Sequence, residues 1–249
     1  MSDQRSIYRN RIYNAYLTGR CELAEPLIAA DLRPRQPYLR WLIHACIPAD
    51  RDVAIMDIGC GHGAVVFALQ EAGYRNVHGV DVSPEQVQAA ARLGIRGVTQ
   101  GDLMTTLRAA ADASLDVLIA FDVIEHFTKD ELIQVVDEVL RVLKPGGRWV
   151  IHVPNGESPF GNRVRFGDYT HEQAFTRTSM TQLLVASGFA RVETFEDRPI
   201  PHGITSAVRA ALWRLIRVVL LCYIAIETGN IDRRAVFSQN LLAVAWTAG

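Results

Sequence analysis

Short apolar runs alternate with longer amphipathic stretches through most of the 249 residues. Runs at 53–57, 77–81, 95–99, 115–121 and 148–153 are rich in Val, Ile, Leu and Phe and have strand length. Helical spacing fills the gaps between them. It covers 64–71, then 83–93, where Ser83-Pro84 has the form of an N-cap with proline at the first helical position. A strongly amphipathic stretch spans 129–143, and another at 178–187 stops at Gly188. Strand patterns return at 189–195 and 237–246. Repeated strand–helix units predict an α/β fold, a mostly parallel sheet with helices on both faces. Ahead of it, Tyr8, Ile12, Tyr16 and Leu17 share helical spacing, and 38–47 reads as a further helix, with Pro34, Pro37 and Pro48 as punctuation. The expected organisation is an N-terminal helical cover over 1–50 and a main domain over 51–249. A helical insertion at about 199–235 precedes the last strand and is long enough for that strand to return antiparallel.

The chemistry concentrates at the ends of the strands. Ile55-Met56-Asp57-Ile58-Gly59-Cys60-Gly61-His62-Gly63 is an apolar run that ends in an acid and three alternating glycines. The second strand ends in Asp81. A glycine turn between strand and helix lets backbone N–H groups approach a ligand, and an acid on the next strand can grip a ribose diol. Both features point to a nucleoside-containing cofactor laid across the C-terminal ends of parallel strands. Gly59-x-Gly61-x-x-Ala64 with Asp81 also satisfies a dinucleotide fingerprint, so an NAD-dependent oxidoreductase is one alternative. More of the chain favours S-adenosylmethionine. Asp57, before the first glycine, suits an ammonium group, and Gly101-Asp102 follows the third strand, where a carboxylate can accept from an adenine amino group. Phe121-Asp122-Val123-Ile124-Glu125-His126 follows the fourth strand, and Leu143-Lys144-Pro145-Gly146-Gly147 leads into the fifth.

In this order the motifs resemble the class I S-adenosylmethionine-dependent methyltransferases over about 50–195, and within them the branch of the ubiquinone-biosynthesis O-methyltransferases. The resemblance implies a Rossmann-like, seven-stranded, mostly parallel sheet with the last strand antiparallel. It implies that Asp57, Gly59, Gly61 and Gly63 hold the methionine end, Asp81 with Val82 the ribose, and Asp102 with Leu103 the adenine. Phe121 and Asp122 would line the same pocket. The implied reaction is O-methylation of a small-molecule hydroxyl: a phenol, a quinol or a sugar. Methyl transfer is an in-line displacement, so the protein mainly aligns the acceptor and takes its proton. His171, His126 and Glu125 are the candidate catalytic groups. Asp122, Glu125, His126 and His171 also form a ligand set suited to a divalent metal. That set resembles the Glu-x-x-Glu-His pattern of metal-using relatives, but Asp122 stands where they have glutamate. No metal ligands are assigned, and a divalent metal stays open as an alternative. A cofactor-binding module without activity is the rival from outside enzymology.

Composition narrows the setting. The net charge is −1, which gives no electrostatic footprint for nucleic acid. Cys21, Cys46, Cys60 and Cys222 contain no Cys-x-x-Cys pair, which argues against a zinc site or a disulfide framework and suits a cytoplasmic location. The first residues do not form an apolar signal segment. His44, His62, His78, His152 and His202 receive no special role, although His62 lies within the glycine loop. Residues 206–227 read as one long helix, with Arg209, Arg214 and Arg217 within about 140° of each other and opposite Val208, Ala211, Leu212, Leu215 and Val219. Its segment 218–226 is apolar all round but much shorter than the roughly 20 residues of a membrane span. Three fates are open: burial within the protein, a homodimer interface, or peripheral membrane contact. Burial is the expectation, because so short a run matches a core helix.

Overall fold

The computed structural model describes residues 7–13 and 29–249. Tyr16, Leu17 and Cys21 lie outside these residues. One seven-stranded sheet carries the fold, in the order β3-β2-β1-β4-β5-β7-β6. The strands are β1 (Ala54–Ile58), β2 (Asn76–Asp81), β3 (Val98–Gln100), β4 (Leu115–Phe121), β5 (Leu143–Pro154), β6 (Arg191–Glu196) and β7 (Asn240–Trp246). β1 to β5 pair in parallel, while β7 runs antiparallel to both neighbours, β5 and β6. The strand order reverses between β1 and β4, where their C-terminal ends splay apart and a ligand crevice opens.

The helices before the sheet are α1 (Ile7–Tyr13) and α2 (Gln36–Cys46), preceded by a 3₁₀ segment at Ala29–Arg35. α3 (Ala64–Glu71), α4 (Pro84–Arg92), α5 (Leu103–Ala109) and α6 (Lys129–Val142) connect the first five strands. α7 (Gly161–Arg165) and α8 (Arg177–Ala186) precede β6, and α9 (Ile204–Thr228) precedes β7. Local chemistry explains several of these boundaries. Ser83 caps α4, with Pro84 at its first position, and Thr128 with Glu131 forms a capping box at α6. The apolar sides of α6 and α8 cover one sheet face with Val135, Val139, Met180 and Leu184. On the other face Leu39, Leu42 and Ile43 of α2 pack with Val65, Val66 and Leu69 of α3.

Several boundaries differ from expectation, among them the fifth strand, which begins at Leu143 rather than 148. The third strand lies at Val98–Gln100 rather than 95–99, because Ile95 turns into the core and Gly97, at φ +77°, bends the chain. α5 carries no strong periodicity and follows from the cap that Asp102 provides. The seventh strand begins at Asn240, since Val236 and Phe237 are spent on packing and turning ahead of it. A larger correction concerns α9. Its second half was expected to be buried within the protein, yet Ser206 and Ala210 are its only buried residues. Glu196, at the end of β6, decides which side faces the body. It accepts from Trp213 Nε1 at 3.2 Å and pairs with Arg217 Nε at 3.1 Å. The polar anchor draws the side carrying Trp213 and Arg217 inward and leaves the apolar side outward.

Candidate functional site

The C-terminal ends of β1, β2 and β4 and the loops after them enclose a cavity of about 1260 Å³. Asp57, Gly59, Gly61, Asp81, Val82, Asp102, Leu103, Phe121 and Asp122 all line it. Gly63 is the exception: it does not line the cavity but starts α3 at φ +82°. Gly59 is held at φ +65°, and a Cβ there would lie 2.4 Å from Val123 Cγ2, so the loop can pass under the fourth strand only as glycine. The loop is tied to its neighbour strand, since Cys60 N donates to Val80 O and Gly61 N donates to Asp81 Oδ2 at 2.8 Å. Asp81 Oδ1 takes Ser83 N at 2.8 Å, so both carboxylate oxygens are oriented before any ligand arrives. Burial nonetheless raises its pKa, against the backbone hydrogen bonds that lower it.

Asp57 is the most telling group. It is fully buried, lines the cavity, and neither carboxylate oxygen has a hydrogen-bond partner among the described residues. Burial, with Asp81 nearby, holds its carboxyl well above the usual carboxylate range. A buried anion without a partner is costly, and a ligand cation relieves that cost. The site therefore fits a cofactor with an ammonium group on one end and a ribose diol on the other. Asp102 serves first as a helix cap, its Oδ1 accepting from Thr105 N at 2.9 Å, and it also lines the cavity.

Beyond β4 the structure builds two histidine arrangements. The first was not foreseen. His152 on β5 lies opposite Phe121 and stacks on its ring at 4.9 Å and 7°. Its Nδ1 meets Asp122 Oδ1 at 2.8 Å and its Nε2 meets Asp197 Oδ2 at 3.3 Å. Burial opposes its charge, but Asp122 and Asp197 together outweigh burial and push its pKa up to about 10. Asp122 is held low in return by the charge of His152, although burial alone would raise it. Asp122 also adopts φ +55°, unusual for a side-chain-bearing residue and a mark of a constrained site. One polar residue inside the apolar run Trp149-Val150-Ile151-His152-Val153 was the available signal.

The second arrangement joins Glu125, His126 and His171, whose ligand atoms lie within 4.8 Å of one another. The segment carrying His171 is pinned there because Glu172 N and Gln173 N both donate to Glu125 O. Thr170 Oγ1 donates to Asp168 Oδ1 at 2.6 Å, so it accepts from His126 Nδ1 at 2.8 Å and leaves His126 Nε2 without a proton. His171 Nδ1 donates to Val164 O at 3.1 Å, which leaves its Nε2 bare as well, 3.8 Å from Glu125 Oε1. Both Glu125 oxygens are buried without a hydrogen-bond partner among the described residues. Burial, then Asp122, raises the Glu125 carboxyl well above its ordinary value. Burial and His171 push His126 down to about 4, and burial lowers His171. Of the three, only His126 lines the cavity. Asp122 belongs to the His152 arrangement, so the expected four-ligand set comes down to these three residues among the described ones. α1 closes this end, with Tyr13 edge-on to His126 at 6.0 Å, Arg9 on Glu131 at 2.9 Å, and Tyr8 donating to Glu172.

The two shifts predict a stability profile. Folded His126 binds its proton near pH 4 and the unfolded residue near 6.5, so stability falls as pH drops through that window, by about 3 kcal/mol in all. His152 acts oppositely: its contribution is complete below 6.5 and is lost as pH rises through about 10. In thermal melts across pH, His126→Gln should flatten the acid limb and His152→Gln the alkaline limb. Parallel profiles for wild type and variants would contradict these protonation states.

The comparisons with known proteins agree with the geometry. Residues 56–151 match the family model described as Methyltransferase domain. A probable S-adenosylmethionine-dependent methyltransferase of Mycolicibacterium smegmatis is 32% identical over 154 residues, 61% of this chain and 56% of the relative. The ribosomal protein L11 methyltransferase of Symbiobacterium thermophilum is 29% identical over 113 residues, 45% of this chain and 34% of the relative. The chain thus spans about half the length, or less, of these curated relatives. Among solved structures, an S-adenosylmethionine-dependent methyltransferase from Archaeoglobus fulgidus superposes with a TM-score of 0.64 at 20% identity, covering 87% of this chain and 94% of that one. Residues 56–151 thus match a methyltransferase-domain model in sequence, and the chain shares the fold of the Archaeoglobus fulgidus structure.

Proposed function

We propose that the protein is an S-adenosylmethionine-dependent methyltransferase that acts on a hydroxyl of a small molecule, such as a phenol, a quinol or a sugar. The observation that carries the cofactor reading is Asp57, a buried carboxylate without a partner at the tip of β1, beside the glycine loop. Asp57 would take the ammonium end, Asp81 the ribose diol, and Asp102 with Leu103 the adenine. When bound, the cofactor supplies a methyl group on a sulfonium centre.

The chain's own residues then have two tasks. The Asp122–His152–Asp197 arrangement gives the far wall of the cavity a fixed shape and charge. His126 stays neutral at physiological pH, and the Asp168–Thr170–His126 relay leaves its Nε2 able to take a proton from an acceptor O–H. His171 and Glu125 stand behind His126, and Thr170 orients it. A second reading rests on the same cluster: two bare imidazole nitrogens and an unpartnered carboxylate converge, a donor set that fits a divalent cation. Glu125, His126 and His171 would hold the cation, which would supply Lewis-acid polarisation of the acceptor oxygen.

Calorimetry with S-adenosylhomocysteine and NAD, followed by methyl-transfer assays on panels of hydroxyl and amine acceptors, tests the proposal. Binding of S-adenosylhomocysteine with transfer to a hydroxyl is expected. Tight NAD binding without S-adenosylhomocysteine binding would overturn the cofactor reading, and transfer confined to amines would overturn the acceptor class.

A further inference from the structure

The outer side of α9 has no use in the methyltransferase reading. At about 100° per residue, Val208, Leu212, Leu215, Ile216, Val219, Tyr223 and Ile226 fall within a stripe roughly 100° wide. All are exposed, from 49% at Ile216 to 87% at Ile226. The helix has 25 residues and is therefore about 37 Å long. A continuous apolar stripe of this length on a protein surface marks an interaction site.

The charges around the stripe select the partner. From Ile204 to Ile226 the helix holds three arginines and no acid. Arg209 and Arg214 are exposed; Arg209 borders the Ile216 edge of the stripe, Arg214 lies about 100° beyond the Leu215 edge, and Arg217 is engaged with Glu196. The insertion 199–235 carries five arginines against Glu227 and Asp232, a net of +3, while the remainder, with 21 basic and 25 acidic residues, is −4. An apolar stripe edged by Arg209, within an insertion of net charge +3 on an otherwise acidic protein, complements a lipid surface. Its side chains enter the acyl boundary, the Arg209 guanidinium reaches anionic headgroups at its edge, and the insertion's net positive charge adds longer-range attraction. No helix of the described residues is long and apolar enough to cross a membrane, so the helix would lie in the interface plane. The first turns of α9 also supply Ser206 and Arg209 to the rim of the cavity.

We infer that α9 is a docking surface for an anionic lipid bilayer, which places the mouth of the cavity at the membrane. Acceptors carried by the lipid phase would then reach the site directly. The docking inference stands independently of the methyltransferase reading, and only this last consequence rests on it.

Vesicle co-sedimentation of the full chain tests the inference, comparing phosphatidylcholine vesicles with vesicles containing about one-third phosphatidylglycerol. Binding to the anionic vesicles is expected, at least tenfold stronger than to the neutral ones and weakened by added salt. Leu215→Glu with Val219→Glu should abolish it, and Arg214→Glu should weaken it. Both substitutions fall on exposed positions, so thermal melting and S-adenosylhomocysteine binding should be retained and serve as folding controls. Failure of wild type to bind anionic vesicles, or equal binding by the double variant, would overturn the inference. A wild-type dimer in light scattering that ignores vesicles and is split by Leu215→Glu with Val219→Glu would overturn it in favour of self-association.

Discussion

Asparagine in place of Asp57 should stabilise the free protein and, at the same time, weaken S-adenosylhomocysteine binding by about 10- to 100-fold. The two effects share one cause. Asp57 is a buried carboxylate with no hydrogen-bond partner among the described residues and with Asp81 nearby, so removing its charge removes a cost from the free protein. In the proposed function the same charge holds the cofactor's ammonium, and a hydrogen bond to a charged group contributes roughly 1.5–3 kcal/mol. Binding should also be linked to protons. The Asp57 carboxyl sits well above the usual range, and a bound cation favours its ionised form, so affinity should fall as the pH is lowered and binding should release protons. Melting curves and calorimetry in buffers of different ionisation enthalpy measure both effects. An Asp57→Asn variant that binds S-adenosylhomocysteine like wild type would show that Asp57 does not face the ammonium.

The second large effect is expected at His126. His126→Gln should lower turnover about 100-fold or more, while S-adenosylhomocysteine affinity holds. His126 is the member of the Glu125–His126–His171 cluster that reaches the cavity, with its Nε2 free of a proton. His171→Gln should have the smaller effect if His126 acts as a base, because His171 only borders it, ring to ring at 4.7 Å. EDTA separates the two versions of the chemistry. Activity that survives EDTA leaves His126 as a proton acceptor. Activity that is lost in EDTA and restored by Mg²⁺ or Mn²⁺ makes the three residues metal ligands, and His171→Gln should then be as damaging as His126→Gln. Undiminished turnover in His126→Gln would remove the residue from the mechanism altogether.

The parts of the site readable from the chain are those built by local sequence. The glycine loop and Asp57 belong to one strand–turn–helix unit. Asp81 ends β2 and Asp102 follows β3 by two residues, so the strand succession places both on the same edge of a parallel sheet. His126 was legible for the same reason, a few residues beyond β4. His152 was not. Its partners Asp122 and Asp197 lie 30 and 45 residues away in sequence, and nothing in an apolar strand announces that a histidine there faces two carboxylates. The proton positions on His126 and His171 likewise depend on Thr170, Asp168 and Val164, which reach them only through the folded loop after β5.

α9 shows the same division. Its sequence determined that it is a helix, and which residues share a side, because the 3.6-residue period is a property of the backbone. It did not determine which side the body covers. Hydrophobicity alone favours burying the apolar side, yet Glu196 accepts from Trp213 and pairs with Arg217, and the apolar stripe is left outside. What the sequence determined by itself is the succession of strands and helices, the glycine loop and the acids at the strand tips, all of which follow from periodicity and local turn chemistry. What only the tertiary structure decided is the pairing of groups far apart in the chain and the choice of buried face. Both depend on which polar partner stands opposite once the sheet has closed.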